Sequence, residues 1–399
     1  MSDKSDSTQW GVVSIAMIAG VLVAMQVGKV PPAIPQIRES LGIGMVSAGW
    51  VASIFNLVGA LIGIASGVFA DRLGPRQAII IGLMFLVAGG LLGAFSTTGL
   101  ELIGSRTLSG FGIIAVVVAC PRIIVIASRQ YHHALVLGIW SAYMPVGIAI
   151  GMLFAAWSME WLGWRGVWLV NAVVLVLFLI SFIRLTIGFQ VPAPSTVSNP
   201  PFLQTLRPIF ASSGAWLLGA VFGCYSLQFF AVTAWLPTYF IENQQHSIGI
   251  AAFYTAIIVG CNAFGNLVAS WWLHRGRPRI TLLLTAFPVM AISAVGIFTP
   301  LVGDSLKIPF AFLFSIVAGL LPAAILAAAA LHSPSQQQVG TVNGIIVQGS
   351  HIGTVSGPPL MAALVVASNG WQASWILVAI SGLFGIAFSI MLYRVERSV

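Results

Sequence analysis

The sequence predicts an all-α integral membrane protein with twelve transmembrane helices, arranged as two six-helix bundles related by pseudo-two-fold symmetry. Three observations support this fold class. Hydrophobic residues make up 58% of the 399 positions and charged residues 7%, the mean hydropathy is +1.00, and the apolar residues occur in long runs. Because a soluble domain carries about 25% charged residues, the composition excludes a soluble enzyme, a disordered chain and a disulfide scaffold. Each bilayer crossing takes about 20 apolar residues, so the length allows roughly twelve crossings.

The apolar runs give the expected helices in chain order. Runs long enough to cross a bilayer lie near residues 10–36, 43–70, 77–96, 99–126, 135–158, 166–186, 213–240, 248–273, 280–301, 308–331, 340–366 and 373–393. No small-residue cleavage site follows the first run. We therefore predict that this run is a retained helix and not a signal peptide.

The distribution of Lys and Arg predicts the orientation, because these residues resist translocation. With the N-terminus inside, eleven of them fall on the cytoplasmic side and three on the outer side. We expect a multi-pass protein of the inner (cytoplasmic) membrane with both termini in the cytoplasm. The net charge of +8 is attributed to this topology and not to nucleic-acid binding.

The expected domains are an N-terminal bundle at residues 1–186, a cytoplasmic linker at 187–212 and a C-terminal bundle at 213–399. The linker is rich in Pro, Ser and Thr. The segment WRGVW at 164–168 is followed 207 residues later by WQASW at 371–375, which indicates that the two bundles are internal copies.

Glycines at helical spacing indicate the same duplication. The fifth span contains Gly138, Gly147 and Gly151, and the eleventh span repeats their spacing 206 residues later at Gly344, Gly353 and Gly357. Small residues at such positions let two helices approach closely in lipid. Two repeated bundles with a substrate site between them are the architecture of a secondary transporter.

A motif follows the second span, where residues 67–76 read GVFADRLGPR. Gly67 permits close helix contact, Gly74 allows a tight turn, and Arg72 and Arg76 hold the loop inside. The carboxylate of Asp71 is placed to approach the partly positive N-terminal end of a neighbouring helix. We predict that these five residues gate the protein as the bundles rock. The alternative is an ordinary positively charged cytoplasmic loop.

With this motif the chain resembles the major facilitator superfamily of transporters. All five residues match the family's loop signature, and Pro75 stands where a basic residue is usual. The fourth span carries a second similarity, Arg106-Thr-Leu-Ser-Gly110-Phe-Gly112, which resembles the family's R-x-x-x-G-x-G. The resemblance implies alternating access around a central cavity. A weaker resemblance, in GIWSA at 138–142 and AWLPTYF at 234–240, is to the cyanate and nitroimidazole permease branch.

Drug-exporting antiporters of this family carry a Gly-Pro pair in the fifth span. Here the pair is Met144-Pro145, which disfavours a multidrug exporter.

Charges within the spans predict the substrate class. None of the nine acidic residues is expected near mid-membrane, whereas Lys29, Arg106, Arg122 and His351 fall within spans. An ionisable group deep in lipid is costly and is a functional hypothesis by default. Attraction between opposite charges at about 4 Å is near 4 kcal/mol at an effective dielectric of 20. We therefore expect a small anion or the conjugate base of a weak acid.

Lys29 and Arg106 are the first two predicted substrate ligands. Gln26 precedes Lys29 by three residues and shares its helical face, and Pro31-Pro32 indicate a bend. Lys29 is similar in place to the lysine that monocarboxylate carriers of the superfamily use for substrate and proton. The alternative for Lys29 is snorkelling to the outer surface, and for Arg106 a structural bond to backbone carbonyls. Arg122 is expected about 24 Å further along the helix, in a gating or structural role.

The remaining candidates are one titratable and several neutral side chains. His351, with an unperturbed pKa of about 6.5, is the predicted proton carrier; a neutral core histidine is the alternative. Neutral groups that donate or accept hydrogen bonds complete the predicted binding set, although each is also typical of helix packing: Gln348, which shares a face with His351, Tyr225 and Gln228, three residues apart, and Asn56, Tyr143 and Asn262.

The sequence thus predicts a secondary active transporter of a small anion, working by alternating access. Proton symport is the preferred coupling, with uniport and anion exchange as alternatives. A drug or toxin exporter of the same fold, acting as a proton antiporter, is the alternative. We expect a monomer in the bilayer that needs no cofactor, metal or nucleic acid. Motifs of metalloproteases, serine hydrolases and P-loop enzymes are absent from the sequence, so an enzyme is not expected. Cys120, Cys224 and Cys261 lie in apolar runs, and their odd number disfavours a disulfide framework.

Overall fold

A computed structural model of the chain describes residues 8–61, 74–189, 212–329, 331–333 and 339–397. These residues are helical almost throughout, and none of them forms a strand. The helices are α1 (Trp10–Gly28), α2 (Val30–Leu41), α3 (Met45–Ser53), α4 (Pro75–Ala94), α5 (Gly99–Ala127), α6 (His133–Ser141), α7 (Tyr143–Leu185), α8 (Ser213–Gln244), α9 (Ile248–His274), α10 (Arg279–Phe298), α11 (Asp304–Ala318), α12 (Leu320–Leu326), α13 (Val339–Ala367) and α14 (Ser374–Arg397).

The chain divides into two compact units. The first contains Met1–Gly42 and Ala65–Ser195, and the second contains Ile43–Ile64 and Thr196–Val399. Helix α3 belongs to the second unit because it packs on α13: the Ser53 hydroxyl donates to the Val355 carbonyl at 2.8 Å. The domain boundaries 1–186, 187–212 and 213–399 stay a prediction, and residues 190–211 of the predicted linker lie outside the described residues.

The described helices account for the predicted spans. Ten helical runs of the described residues are long and apolar enough to cross a membrane. One of them, Gln130–Leu185, contains both the fifth and the sixth predicted spans. Within α7 the backbone breaks at Gly163, where φ is 61° and ψ is 174°. The second predicted span, 43–70, includes residues outside the described part of the chain.

The first predicted span is interrupted beside its lysine. Helix α1 ends at Gly28, and Lys29 caps both α1 and the following α2. Pro31 and Pro32 begin α2 and have no N–H, so the carbonyls four residues earlier lose their helical donors. The helical hydrogen-bond pattern is therefore interrupted at Lys29, whose own backbone angles stay helical (φ −67°, ψ −20°), and the bend expected from Pro31-Pro32 stays a prediction.

Four of the six glycines of the duplicated pattern make equivalent contacts in the two units. Gly147 and Gly151 of α7 lie directly against the backbone of Val21 and Met25 on α1. In the second unit, Gly353 and Gly357 of α13 lie in the same way against Gly223 and Leu227 of α8. The partner positions on α1 and α8 are 202 residues apart in both cases. A side chain at any of these four glycines would meet backbone atoms, so close approach without a Cβ explains the shared spacing.

Candidate functional site

The buried Lys29 side chain is the centre of a polar cluster in the first unit. Lys29 is 1% exposed, and its Nζ donates to Gln26 Oε1 at 2.6 Å. The interruption between α1 and α2 places the ammonium beside Gln26, on the face predicted from their spacing. Lys29 therefore does not snorkel to the surface.

Arg106 joins the same cluster from α5. Its guanidinium is 1% exposed, and Nη1 donates to the main-chain carbonyl of Gln26 at 2.9 Å. Arg106 therefore bonds to a backbone carbonyl, as the alternative interpretation expected. This bond also places the guanidinium next to Lys29. Two cationic groups consequently share one residue: the side-chain oxygen of Gln26 faces Lys29, and its main-chain oxygen faces Arg106.

A chain of hydrogen bonds fixes the orientation of the Gln26 amide. Gln26 Nε2 donates to Asn171 Oδ1 at 3.2 Å and to the Leu22 carbonyl at 3.2 Å. Asn171 Nδ2 in turn donates to the Val167 carbonyl, one turn earlier on α7, at 2.9 Å. All these bonds run in one direction, away from the lysine, so the oxygen of Gln26 is presented to Nζ.

An aromatic face completes the surroundings of Lys29. Nζ lies 4.4 Å from the ring centroid of Trp168, which is itself buried on α7. The negative face of an indole attracts an ammonium group. Lys29 is therefore held by a neutral amide and a π face.

Buried carboxylates are absent from the described part of the chain. The buried charged residues there are Lys29, Arg106 and Lys307, and Lys307 is paired with the exposed Asp304 at 2.7 Å. A buried ammonium is expected to be paired, because its desolvation is costly. In the Lys29 cluster, the ammonium lies beside an amide oxygen and an indole ring, and the guanidinium donates to a main-chain carbonyl.

Two further predicted residues of the first unit lie apart from this cluster. The ring of Tyr143 stacks on Trp140 with 4.3 Å between centroids and packs over Gly20, which is about 13 Å from Lys29 at the rise of an α-helix. Arg122 is half-buried on α5, about 24 Å beyond Arg106 by the same measure.

His351 and Asn56 meet in the second unit. His351 Nδ1 lies 2.9 Å from Asn56 Oδ1, and Asn56 Nδ2 donates to the Ser53 carbonyl at 3.3 Å. Because this second bond turns the Asn56 oxygen towards the imidazole, Nδ1 is the donor, and Nε2 is the nitrogen that can accept a proton. The imidazole packs against Gly59, where a larger residue would displace it.

Gln348 reaches the same segment one turn away. Its Nε2 donates to the Ala60 carbonyl at 2.6 Å. Gln348 and His351 therefore contact residues four apart, as expected for two side chains on one face of α13.

The other neutral candidates of the second unit form separate contacts. Tyr225 stacks on Phe229 at 5.8 Å between centroids and interacts with the Asn262 side chain. Gln228 is fully buried, and its Nε2 donates to the Val378 carbonyl at 2.6 Å. Gln228 thus points towards α14, while Tyr225 and Asn262 join α8 to α9.

The gating motif is described in part. Gly67, Asp71 and Arg72 lie outside the described residues, so the contact expected of Asp71 stays a prediction. Gly74 has φ +78°, which is the turn expected of it. Arg76 donates from Nε to the Thr186 hydroxyl at 3.0 Å, at the C-terminal end of α7, where the helix dipole favours a cation.

The second unit retains a counterpart of this turn. Gly276 has φ +67°, and Arg279 forms a salt bridge with Glu396 of α14 at 2.8 Å. Each unit thus ties the arginine that follows its turn to the end of its last long helix.

Asn171 and Trp168 were missed among the sequence-predicted site residues. Trp168 ends the WRGVW segment, which was noted as a repeat only. Asn171 is a polar residue inside the apolar sixth span, and that placement was the signal that could have identified it. Groups of three or more His, Cys, Asp or Glu side chains that could hold a metal do not occur among the described residues.

The family of this chain follows from comparison with known proteins. The model of the Major Facilitator Superfamily matches residues 16–309, which is more than half of the chain. The chain belongs to this superfamily and is a multi-pass membrane transporter with its twelve-helix, all-α fold.

The relatives span several kinds of transporter. The cyanate transport protein CynX of Escherichia coli K12 is 23% identical over 280 residues, covering 67% of this chain and 68% of that protein. The multidrug efflux pump LfrA of Mycolicibacterium smegmatis is 26% identical over 210 residues, covering 52% of this chain and 42% of the pump. This second match therefore extends over less than half of the relative.

Solved structures support the fold. A bacterial homologue of the human lysosomal transporter Spinster, in an inward-facing and occupied conformation, has a TM-score of 0.79 at 15% identity, with 98% of each chain covered. The D-xylose-proton symporter has a TM-score of 0.73 at 15% identity, covering 97% of this chain and 98% of that one.

Proposed function

We propose that the protein transports a small anion, or the conjugate base of a weak acid, across the inner membrane by alternating access coupled to protons. The observation that carries this proposal is the Lys29 cluster, in which two buried cationic side chains lie together beside an amide oxygen, a main-chain carbonyl and an indole ring. At an effective dielectric of 20, each favours an anion at about 4 Å by near 4 kcal/mol. The similarity to a cyanate transport protein is consistent with this substrate class.

Lys29 and Arg106 have different roles in this proposal. Arg106 donates to a main-chain oxygen, which cannot swing away, so it supplies a fixed positive field. Lys29 donates to the side chain of Gln26 and can exchange that partner for an oxygen of the substrate. Binding then neutralises the cluster and lowers the cost of excluding water from it, which favours the change to the opposite-facing state.

His351 is the proposed proton carrier. Its Nε2 is available for protonation while Asn56 holds Nδ1. A proton taken up there compensates the charge of the anion, as symport requires. Gln348, Tyr225, Gln228 and Asn262 are kept as proposed neutral contacts; Tyr143 and Arg122 are proposed to affect gating.

The test is uptake into proteoliposomes by the purified protein, with cyanate, formate and the hydrophobic cation tetraphenylphosphonium as probes. We expect saturable uptake of an anion by the wild type. Lys29→Gln and Arg106→Gln should each reduce it at least tenfold, because a buried charged hydrogen bond is worth about 1.5–3 kcal/mol. Ser181→Ala, an exposed residue bonded to its own helix, is the control. Normal anion uptake by both glutamine variants would refute the proposal.

A drug or toxin exporter, working as a proton antiporter, is the second candidate function, because multidrug and methyl viologen resistance proteins are among the relatives. It predicts that tetraphenylphosphonium, and not the anions, raises the melting temperature of the purified protein. The absence of a buried carboxylate among the described residues disfavours this candidate, since a cation would meet two positive side chains in the first unit.

A further inference from the structure

We infer that Asn171 and Trp168 are positioning residues of the Lys29 site: in the unloaded protein they hold Gln26 and the ammonium in place, so that a singly charged anion replaces the Gln26 oxygen on a preorganised lysine. This inference rests on the proposed function and specifies how the same site is prepared for its substrate. Four contacts of described, buried residues carry it.

The first step concerns what fixes Gln26. Its Nε2 donates to Asn171 Oδ1 at 3.2 Å, and Asn171 is anchored to the Val167 carbonyl at 2.9 Å. Both side chains are less than 5% exposed. An amide that donates from its nitrogen end must present its oxygen to the other side, where Nζ of Lys29 lies at 2.6 Å.

The second unit shows that the lysine is not what orients this amide. Gln228 follows Gln26 by 202 residues, and Val378 follows Asn171 by 207, the same offsets as the glycine contacts and the Trp pairs of the two units. Gln228 Nε2 donates to the main chain of Val378 at 2.6 Å. The position corresponding to Lys29 is Ala231, and Gln228 Oε1 has no hydrogen-bond partner among the described residues.

This comparison separates the parts of the site. Both units hold a glutamine by its nitrogen from the helix that follows the duplicated Trp segment. Only the first unit has a lysine that donates a hydrogen bond to the glutamine oxygen. In the first unit the anchor is the Asn171 side chain, so it can be removed by substitution, whereas the anchor in the second unit is backbone.

Trp168 restricts the lysine from a second direction. It lies one turn before Asn171 on α7, and its ring centroid is 4.4 Å from Nζ. With an amide oxygen and a ring face as partners, Nζ is confined without being neutralised. Ordering a long side chain costs about 0.5–1.5 kcal/mol on binding, and a lysine that is already ordered avoids that cost.

The substrate class follows from this arrangement. The Gln26 oxygen occupies one position on Nζ. One anionic oxygen therefore replaces one amide oxygen, which suits a small, singly charged anion such as cyanate or formate.

The experiment measures KM and Vmax for cyanate and formate uptake in proteoliposomes, together with the melting temperature of each purified full-length variant. Asn171→Leu removes the acceptor of Gln26 and should raise KM three- to tenfold with Vmax unchanged. Trp168→Leu should do the same, and Trp168→Phe, which keeps a ring, should stay within twofold of the wild type.

Asn171→Asp gives the sharper result. The aspartate still accepts from Gln26 Nε2 but loses the Nδ2 bond to the Val167 carbonyl, and it adds a negative charge within about 8 Å of Nζ. That charge competes with the substrate for the ammonium, so KM should rise at least tenfold. A purely structural role would instead lower the melting temperature or Vmax and leave KM alone.

The control substitution lies on α7, the helix that carries Trp168 and Asn171. Ser158→Ala on α7 removes a buried hydroxyl that bonds only to its own helix, at 2.6 Å from the Phe154 carbonyl, and should leave KM unchanged.

If the wild type transports an anion and the Asn171 and Trp168 variants all keep KM within twofold, the inference is wrong and the proposed function stands. If the wild type responds to no anion, the proposed function itself fails. Should Asn171→Leu not fold, Asn171→Asp and the Trp168 pair decide.

Discussion

At the scale of single residues, the protein separates positive charge from its usual carboxylate partner. Lys29 contacts an amide oxygen at 2.6 Å and an indole ring at 4.4 Å, and Arg106 contacts a main-chain carbonyl. These neutral partners stabilise the cations less than a carboxylate would, because hydrogen bonds between two ions are the stronger ones. The residual attraction is what the proposed anionic substrate would gain on binding.

The pH dependence of transport tests the proposed role of His351 as proton carrier. If His351 carries the coupled proton, wild-type uptake at fixed anion concentration should fall as the external pH is raised from 5.5 to 8, since fewer protons are then available to a symporter. His351→Gln should flatten this profile. Exchange of labelled for unlabelled anion, which moves no net proton, should persist in the variant.

The control for this prediction is Asn343→Gln on the same helix, measured over the same pH range. A variant at His351 that retains the full pH slope would show that the proton is carried elsewhere, by the substrate or by another group.

At the scale of elements, the same helix contacts occur twice. Helix α7 approaches α1 through Gly147 and Gly151, and α13 approaches α8 through Gly353 and Gly357. In lipid, helices gain little from the hydrophobic effect and associate by close packing. The backbone contact beside Gln26 therefore depends on Gly147 and Gly151, which precede the break at Gly163.

A substitution that widens this contact should destabilise the first unit. A Cβ at Gly147 would lie 2.5 Å from Ala24 Cβ and from the Val21 carbonyl, so Gly147→Ala should cost about 1–3 kcal/mol through overpacking. The melting temperature in detergent reports this. Gly260→Ala on α9, where a Cβ would meet nothing within 4 Å, is the matched control and should be neutral or slightly stabilising. Equal melting temperatures for the two variants would argue against a tight α1–α7 contact.

At the scale of the whole molecule, orientation in the membrane is still a prediction from the distribution of Lys and Arg. In a background without the three native cysteines, Leu301→Cys, 82% exposed, should react with a membrane-impermeant maleimide on intact spheroplasts. Arg277→Cys should react only after the membrane is permeabilised. Labelling of both positions from outside, or of Arg277→Cys alone, would contradict the predicted orientation.

The sequence by itself determined the properties that depend on solvent and on local spacing. The scarcity of charge requires lipid around the chain, and the lengths of the apolar runs set the number of helices. Helical periodicity placed Gln26 with Lys29 and Gln348 with His351, because neighbours three residues apart share a face. These features need no knowledge of which helices are adjacent.

Only the tertiary structure decided which distant residues meet. Arg106 contacts Gln26 across 80 positions, Asn171 contacts it across 145, and His351 reaches Asn56 across 295. All helices here are apolar around most of their circumference, so hydrophobic pattern does not specify their neighbours in lipid. The partners of Lys29 are therefore fixed by close packing of α1, α5 and α7, a property of the folded chain that residue spacing does not contain.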